Sequence, residues 1–233
     1  MQVVSAKRKC TGEPVALKIV FLGNPKLHRQ HVAVLRNEVD IMMRLQHNNI
    51  ARVYCVFEDN IRKQLVMEEE MCFGGVLLQE LQEVDSNNDR LLAFVTRQIL
   101  EALAVTHAAG IIHRDIKPDN IVFKYPHEQW TRFGAIPMLL DFGMALNVSK
   151  LTSPEIGLLG SSGFISPETI CMKAHTPAMD MFAMGVVLYM MITGHRPMTK
   201  DEANTLQYDK YEGSEYPMMK VCTQTSFNLL LAC

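Results

Sequence analysis

The chain has 233 residues, of which 48% are hydrophobic and 21% are charged, a composition typical of a folded globular protein and not of a disordered one. Its formal net charge of -2 argues against a nucleic-acid-binding domain, because such domains usually carry a basic excess. The six cysteines form no C-x-x-C pair. This spacing predicts reduced thiols in the cytoplasm or nucleus, and neither a disulfide framework nor a zinc site.

The first part of the sequence predicts a β-sheet with one helix. Short β-branched runs predict strands, and the turn-like residues 10–13 between the first two predict a hairpin. After the second strand, apolar residues recur at helical spacing. In chain order, these elements are the strands 3–6 and 14–21, the helix 31–45, and the strands 50–57 and 64–67.

The pattern changes to helices after Gly74 and Gly75. The predicted helices cover residues 77–84, 90–109 and 180–193. The second of them stops at Gly110, as expected of a helix terminator. The sequence therefore predicts an α+β fold with a small sheet-rich lobe, a hinge near residues 68–75 and a larger helical lobe.

A membrane contact is not expected. The longest apolar stretch covers residues 182–192, whereas a helix that crosses a bilayer needs ~20 residues. The first ten residues are basic and mixed and show no signal-peptide pattern. We expect a soluble protein of the cytoplasm or nucleus, and the sequence carries no signal for an oligomeric state.

Two short motifs carry the chemistry. Residues 113–120 read His-Arg-Asp-Ile-Lys-Pro-Asp-Asn, and residues 141–143 read Asp-Phe-Gly. Moving a phosphoryl group needs a carboxylate that receives a hydroxyl proton, a cation near the phosphate and oxygen ligands for magnesium. These motifs supply all three. The chain resembles the eukaryotic protein kinases of the serine/threonine type, and its spacing is a little similar to that of the calcium/calmodulin-regulated branch.

The resemblance implies ATP, Mg²⁺ and protein substrates with serine or threonine hydroxyls. It makes Asp115 the base that orients the substrate hydroxyl and Lys117 the cation at the γ-phosphate. Asn120 and Asp141 become the magnesium ligands. The catalytic set also includes Lys18, in Val-Ala-Leu-Lys, which holds the α- and β-phosphates and pairs with Glu38 on the following helix. His113 and Phe142 are expected to be structural.

The same resemblance places the adenine ring. Val3 and Ala16 are expected to cover the purine, and Met67 corresponds to the residue that guards the back pocket. The backbone of Glu68 and Glu70 is expected to meet the adenine edge. Any sheet core could supply such side chains, so these assignments rest on position alone.

Further positions match supporting roles in the family. Ser161 is expected to bridge the base and Lys117, and Asp180 to anchor the backbone of the catalytic loop. Arg114 is expected to pair with a phosphate on the activation segment. The candidate hydroxyls on that segment are Ser149, Thr152 and Ser153.

The sequence also departs from the family pattern. The glycine-rich phosphate loop falls where this chain begins, and no counterpart of the final helices is recognisable after about residue 198. We therefore expect residues 1–70 to form a small lobe without that loop, residues 71–200 a partial large lobe, and residues 201–233 a divergent tail. Without its arginine partner, Glu168 is expected to be an unpaired buried charge. Trp130, in a long connection, is expected to be exposed as a partner contact.

Two functions from different classes stay open. The first is a protein kinase that transfers the γ-phosphate of ATP to serine or threonine. The second is a catalytically impaired kinase-like binding or scaffold module, which the missing glycine loop and final helices favour. Transfer to a small molecule is disfavoured, because Ser166, Pro167 and Glu168 resemble a protein-substrate platform.

Overall fold

The structure, a computed structural model, describes residues 2–22, 25–84, 88–151, 158–170 and 174–197. The side chains of residues 25–31, 133 and 150 are not described. The small lobe consists of β1 (Gln2–Lys7), β2 (Pro14–Phe21), α1 (Pro25–Met42), β3 (Val53–Asp59) and β4 (Gln64–Glu70). The helices of the large lobe are α2 (Leu77–Glu83), α3 (Asp89–Ala108), α4 (Trp130–Phe133), α5 (Pro167–Ile170) and α6 (Ala178–Thr193). Its strands are β5 (Ile111–Ile112), β6 (Ile121–Phe123), β7 (Pro137–Leu139) and β8 (Leu146–Asn147).

The small-lobe sheet is antiparallel, with the strand order β1-β2-β4-β3. Lys18 lies opposite Val3 on one side and opposite Met67 on the other, and Ala16 lies opposite Glu69. Directly opposed residues, and residues two apart along a strand, project from the same face of a sheet. These five side chains therefore share the face that carries Lys18.

The large lobe is built around α3 and α6. By length and composition, α3 is the one helix in the described ranges that could cross a membrane. Its buried side chains are Leu92, Ala93, Val95, Ile99, Ala102, Leu103 and Thr106. Except for Ala93, the apolar residues among them belong to the main hydrophobic core, together with residues of α6 and of the small lobe. This is the environment of a core helix.

The hinge between the lobes is fixed to β6 by a close backbone approach. The N–H of Gly74 donates to the carbonyl oxygen of Phe123 at 3.0 Å. A Cβ atom at position 74 would lie 2.6 Å from the carbonyl oxygens of Phe123 and Tyr125, which no real side chain tolerates. The next N–H, that of Gly75, donates to the Glu80 carboxylate at 2.7 Å. Glycine at position 74 is thus required by contact distance.

The predicted elements are confirmed in type, and their ends differ for physical reasons. The strand predicted from residue 50 begins at residue 53, because Ile50 pairs with Leu139 and the N–H of Ala51 donates to the Leu139 carbonyl. These two residues therefore join the large-lobe hairpin. The strand predicted to end at residue 67 continues to Glu70. The short strands β5 to β8 were not predicted, because two or three residues are too few to show a period.

The expectation that Trp130 forms an exposed partner contact is wrong. Its indole is half-buried, and it packs on Phe123 with ring centroids 4.4 Å apart. Its N–H donates to the carbonyl oxygen of Tyr125 at 2.9 Å. The indole therefore holds its own connection against β6, and both its apolar and its polar parts are satisfied.

Glu168 is also not the buried charge that the sequence predicts. It lies in the first turn of α5 and is half-buried. Within the described ranges it forms no ion pair. A carboxylate with access to water escapes most of the desolvation cost of a buried ion, so the penalty predicted for an unpaired buried charge does not apply to Glu168.

The two faces of α6 give a matched test of the core. Met184 is 3% exposed and Met181 is 47% exposed. We expect Met184→Ala to lower the free energy of unfolding by about 2–5 kcal/mol, because it removes buried methylene groups and leaves a cavity. Met181→Ala should change it by less than about 0.5 kcal/mol. Urea denaturation measures both values, and equal effects would contradict this placement of the core.

Candidate active site

Lys18 is the centre of the first group of functional side chains. Its Nζ lies 2.6 Å and 2.7 Å from the two carboxylate oxygens of Glu38 and 2.9 Å from Oδ1 of Asp141. Lys18 and Glu38 are almost completely buried. We call Lys18, Glu38 and Asp141 the lysine cluster. It joins β2, α1 and the Asp-Phe-Gly turn, as the sequence predicts for Lys18 and Glu38.

The lysine cluster favours a charged ammonium. Burial lowers the pKa of Lys18, but the nearby carboxylates of Glu38 and Asp141 outweigh it and raise that pKa. Burial raises the pKa of Glu38 to about 7, although the ammonium opposes this and Asp141 and Glu69 add to it. For Asp141, burial is outweighed by Lys18, which lowers the pKa of that carboxyl. Asp141 therefore stays ionised beside the lysine.

The Asp-Phe-Gly turn is held in an unusual backbone conformation. Asp141 has φ = 59°, in the left-handed region that few residues other than glycine adopt. Its carboxylate accepts the N–H of Gly143 at 3.3 Å, and the Phe142 ring packs on His113 with centroids 4.5 Å apart. From α1, the Asn37 amide donates to the Ala145 carbonyl at 2.9 Å. These contacts fix the direction of the Asp141 carboxylate.

The second group of side chains surrounds Asp115. Its Oδ2 accepts from Lys117 at 2.7 Å and from the Asn120 amide at 3.0 Å, and its Oδ1 accepts from the Ser161 hydroxyl at 2.7 Å. The Lys117 ammonium also donates to the Ser161 oxygen at 2.9 Å. We call these four residues the aspartate cluster. The prediction that Ser161 bridges the base and the lysine is confirmed.

Asp180 holds the catalytic loop by its backbone, as predicted. Its carboxylate is 1% exposed and accepts the N–H groups of His113 and Arg114, each at 2.8 Å. His107 on α3 contacts the same carboxylate at 2.8 Å. Arg114 has φ = 68°, a strained conformation for a side chain of this size. The two bonds to Asp180 stabilise that strained backbone.

His113 is structural, in agreement with its predicted role. Its Nδ1 accepts the N–H of Asp115 at 3.3 Å, and its Nε2 donates to the carbonyl oxygen of Leu140 at 3.0 Å. Burial lowers the pKa of His113, so the ring is neutral. A neutral ring with one donor and one acceptor satisfies both contacts.

Leu140 connects the two clusters through its backbone. Its carbonyl accepts from His113, and its N–H donates to the carbonyl oxygen of Asn120 at 2.9 Å. The next residue along the chain is Asp141. The functional groups predicted at positions 18, 115, 120 and 141 are therefore neighbours in the fold. They form two clusters that are joined by this backbone link.

The oxygen atoms of Asn120 and Asp141 fit a magnesium ion. The Asn120 amide nitrogen donates to the carbonyl and carboxylate of Asp115, so its Oδ1 is left for a ligand. Asp141 uses Oδ1 for Lys18 and Gly143, and its side chain is 43% exposed. The described residues include no set of three histidine, cysteine or carboxylate groups that could hold a metal alone. Magnesium usually takes one or two protein ligands and completes its shell with substrate phosphates and water.

The structure corrects three of the predicted adenine contacts. Val3 and Ala16 lie on the same face as Lys18, as expected for residues that cover the purine. Met67 has no exposed surface and belongs to the hydrophobic core, so it does not line an open pocket. Glu68 is paired inside the sheet with Leu17 and Cys55.

Glu70 is the third correction. Its N–H donates to the carbonyl oxygen of Arg52 at 2.8 Å and is not available to a base. The sequence placed the hinge too early because β4 is three residues longer than predicted. The N–H groups of Met71 and Cys72 donate to no acceptor within the described ranges. These two groups, and not those of Glu68 and Glu70, are free to meet the adenine edge.

The predicted role of Arg114 stays a prediction. Its Nε donates to the carbonyl oxygen of Met144 at 2.6 Å, and its Nη1 lies 3.2 Å from Nδ1 of His175. Among the candidate hydroxyls, Ser149 donates to the side chain of Asn147. Thr152 and Ser153 lie outside the described residues.

Sequence reasoning missed several residues that support the site. Asn37 and His107 lie on helices that are otherwise amphipathic and carry no motif. Leu140 acts only through its backbone, which no sequence pattern reveals. Glu69 follows Met67 by two residues on the face that carries Lys18, but nothing in a run of three glutamates distinguishes it from its neighbours.

Comparison with known proteins agrees with this geometry. The chain matches the family profile described as "Protein kinase domain" over residues 1–230. It is 34% identical over 183 residues to a calcium and calcium/calmodulin-dependent serine/threonine-protein kinase of Lotus japonicus, covering 76% of this chain and 34% of that protein. It is 29% identical over 217 residues to calcium/calmodulin-dependent protein kinase type IV of Homo sapiens, covering 92% and 42%. It is 30% identical over 215 residues to Aurora kinase of Dictyostelium discoideum, covering 92% and 52%.

The chain thus spans between 34% and 52% of the length of these curated relatives. The profile match continues through residue 230 and so includes most of the predicted tail, which lies outside the described residues. The division of the chain at residues 70 and 200 stays a prediction.

Removing the Asp180 carboxylate should destabilise the protein. Asp180→Ala leaves the buried N–H groups of His113 and Arg114 without an acceptor, so we expect the free energy of unfolding to fall by about 2–5 kcal/mol. Asp119 is exposed on the same loop, and Asp119→Ala should cost less than about 0.5 kcal/mol. Urea denaturation compares the two variants. A similar small loss in both would show that Asp180 does not support the loop.

Glu38 should make stability depend on pH near neutrality. Its folded-state pKa of about 7 lies above the ordinary value of 4.5, so the native state binds its proton more tightly than the unfolded chain. This contribution is complete below the ordinary value and is lost as the pH rises through about 7. We expect Glu38→Gln to remove the corresponding decline between about pH 5 and pH 8. The exposed Glu58→Gln variant should keep it, and equal pH profiles of unfolding for wild type and Glu38→Gln would contradict the assignment.

Proposed function

Because the chain belongs to the protein kinase family, we propose that it transfers the γ-phosphate of ATP to serine or threonine hydroxyls of protein substrates. The observation that carries this proposal is the link at Leu140. It brings the lysine cluster, suited to a triphosphate, beside the aspartate cluster, suited to a hydroxyl group.

In the proposed reaction, the substrate hydroxyl oxygen attacks the γ-phosphorus, and the bond from that phosphorus to the β,γ-bridging oxygen breaks. ADP leaves with the electrons of that bond, and the hydroxyl proton passes to the Asp115 carboxylate. Asp115 is suited to this role because three hydrogen bonds fix its direction. A fixed carboxylate orients the hydroxyl before the phosphorus–oxygen bond forms.

Two lysines act on different parts of the nucleotide. The Lys18 ammonium, already held by Glu38, binds the α- and β-phosphates from the small lobe. Lys117 neutralises charge on the transferring phosphoryl group, and it is positioned for this by Ser161 and Asp115. Positive charge placed before the reaction stabilises the transition state without reorganisation.

Magnesium would be held by Asn120 Oδ1 and the Asp141 carboxylate. When bound, it would neutralise charge on the β- and γ-phosphates. The chain's own contribution is to aim these two oxygens. The Asn120 amide is fixed by Asp115, and the Asp141 carboxylate by Lys18 and the N–H of Gly143.

A preference for serine and threonine is supported by two observations. Lys117 occupies the loop position that is typical of serine/threonine-directed members of the family. Relatives at 34% and 33% identity are described as serine/threonine-protein kinases.

The proposal is tested by removing the base and leaving the nucleotide contacts in place. We expect Asp115→Asn to lower kcat for transfer to a basic serine- or threonine-containing peptide by on the order of 100- to 10 000-fold. Its Kd for ATP with magnesium should remain close to that of the wild type, because Lys18 and Asp141 are unchanged. Asp119→Asn, on the exposed side of the same loop, is the matched control and should keep wild-type kcat.

ATP binding, followed by calorimetry, and phosphopeptide formation are both measured on the same protein samples. A wild-type chain that binds ATP with magnesium but transfers no phosphate would overturn the proposal. That outcome would favour the alternative of a catalytically impaired binding or scaffold module.

A further inference from the structure

Glu69 is an acidic side chain on the cleft face of the sheet to which the proposed reaction assigns no role. It lies near the end of β4, directly opposite Ala16, on the face that carries Lys18. Its two neighbours in sequence are occupied. Glu68 is paired with Arg8 and Glu70 with Lys124. Within the described ranges, Glu69 has neither an ion pair nor a hydrogen bond of its side chain.

The strand register puts Glu69 on the same sheet face as Lys18, and the two groups influence each other's charge. Burial raises its pKa, the Lys18 ammonium lowers it, and Asp141 raises it again. Glu69 in turn contributes to the raised pKa of Glu38. The Lys18 ammonium bonds Glu38 and Asp141, and Glu69 lies on the same face of the sheet without such a bond. The Glu69 carboxyl group has a place in the cleft and no protein donor.

A half-buried carboxylate without a protein donor can accept a hydrogen bond from water or from a ligand that enters the cleft. The donor is not the triphosphate, because phosphate oxygens only accept and their charge repels a carboxylate. If the nucleotide supplies the donor, that donor lies at its uncharged end. Ala16 and Lys18 are two residues apart on β2, which corresponds to about 7 Å along a strand. Glu69 thus lies one such step from the phosphate-binding ammonium, level with the residue expected to cover the purine.

We infer that Glu69 accepts a hydrogen bond from the 6-amino group of adenine and thereby selects ATP over GTP. The inference rests on the proposed function, since it assumes that the purine lies under Ala16. Guanine carries a carbonyl oxygen at position 6, and two acceptors facing each other in a buried site repel. The three consecutive glutamates then have separate tasks. Glu68 and Glu70 pair with cations of the protein, and Glu69 faces the base.

The direct test is a double-mutant cycle between the side chain and the amino group. The probes are ATP and the triphosphate of purine riboside, which carries hydrogen in place of the 6-amino group. Calorimetry with magnesium gives Kd values for the wild type and for Glu69→Met. We expect removal of the amino group to weaken binding to the wild type by about 10-fold more than binding to Glu69→Met. Any contact of the amino group with the hinge is lost equally in both proteins and cancels.

A second measurement follows the choice of nucleotide. The amide of Glu69→Gln can donate to the guanine oxygen, so we expect the ratio of kcat/KM for ATP to that for GTP to fall by about 10- to 100-fold. Glu58→Gln makes the same chemical change at an exposed position of the same sheet and should keep the wild-type ratio. Thermal unfolding checks that each variant is folded. The Glu69 variants should be at least as stable as the wild type, because they remove an unpaired acid beside Asp141.

The outcomes separate the inference from the proposed function. Equal losses in the two arms of the cycle, or an unchanged nucleotide ratio in Glu69→Gln, would overturn the role of Glu69 while transfer from ATP that depends on Asp115 still stands. A wild-type chain that binds no ATP would overturn both.

Discussion

The Lys18 ammonium, held between the carboxylates of Glu38 and Asp141, is the interaction on which the site depends. A buried cation is stable only with close anionic partners, and the loss of either partner leaves a charge uncompensated. Here the lysine and its two partners come from three elements that share no local sequence: a strand, a helix and a turn of the other lobe. The same contact that satisfies the lysine therefore sets how the small lobe meets the large one.

In the large lobe, buried polar groups hold the backbone of the catalytic loop, and the reactive side chains project from that loop. Asp180 accepts two consecutive N–H groups of the catalytic loop, and the neutral ring of His113 joins that loop to Leu140. Each of these groups is fully occupied, so the loop has one arrangement and not several. Asp115 is thus fixed twice, by its own side-chain bonds and by the backbone on either side of it. Such rigidity is what a reaction governed by positioning requires.

The sequence predicted the chemistry better than the architecture around it. Asp115, Lys117, Asn120 and Asp141 were found because their residue types and spacing reflect a chemical need. The end of β4 was missed because three glutamates in a row show no alternation of polar and apolar residues, although the strand continues through them. The position of Trp130 depends on Phe123 across a hairpin, a contact that no local pattern encodes. The first of these errors ended β4 at residue 67 and not at residue 70, so the backbone of Glu68 and Glu70, expected to meet the adenine edge, is instead bonded to neighbouring parts of the chain.

The close approach of Gly74 to β6 limits how the cleft can open. Since the backbone there touches Phe123 and Tyr125 with no room for a side chain, residue 74 must travel with the large lobe. At the other end, the Glu70 N–H is bonded to Arg52, while the Glu70 carboxylate pairs with Lys124 directly after β6. The Phe73 N–H also donates to Lys124, so between Glu70 and Gly74 the N–H groups without an acceptor in the described part of the chain are those of Met71 and Cys72. A change in the angle between the lobes would therefore have to turn the backbone at these two residues or break the ion pair between Glu70 and Lys124.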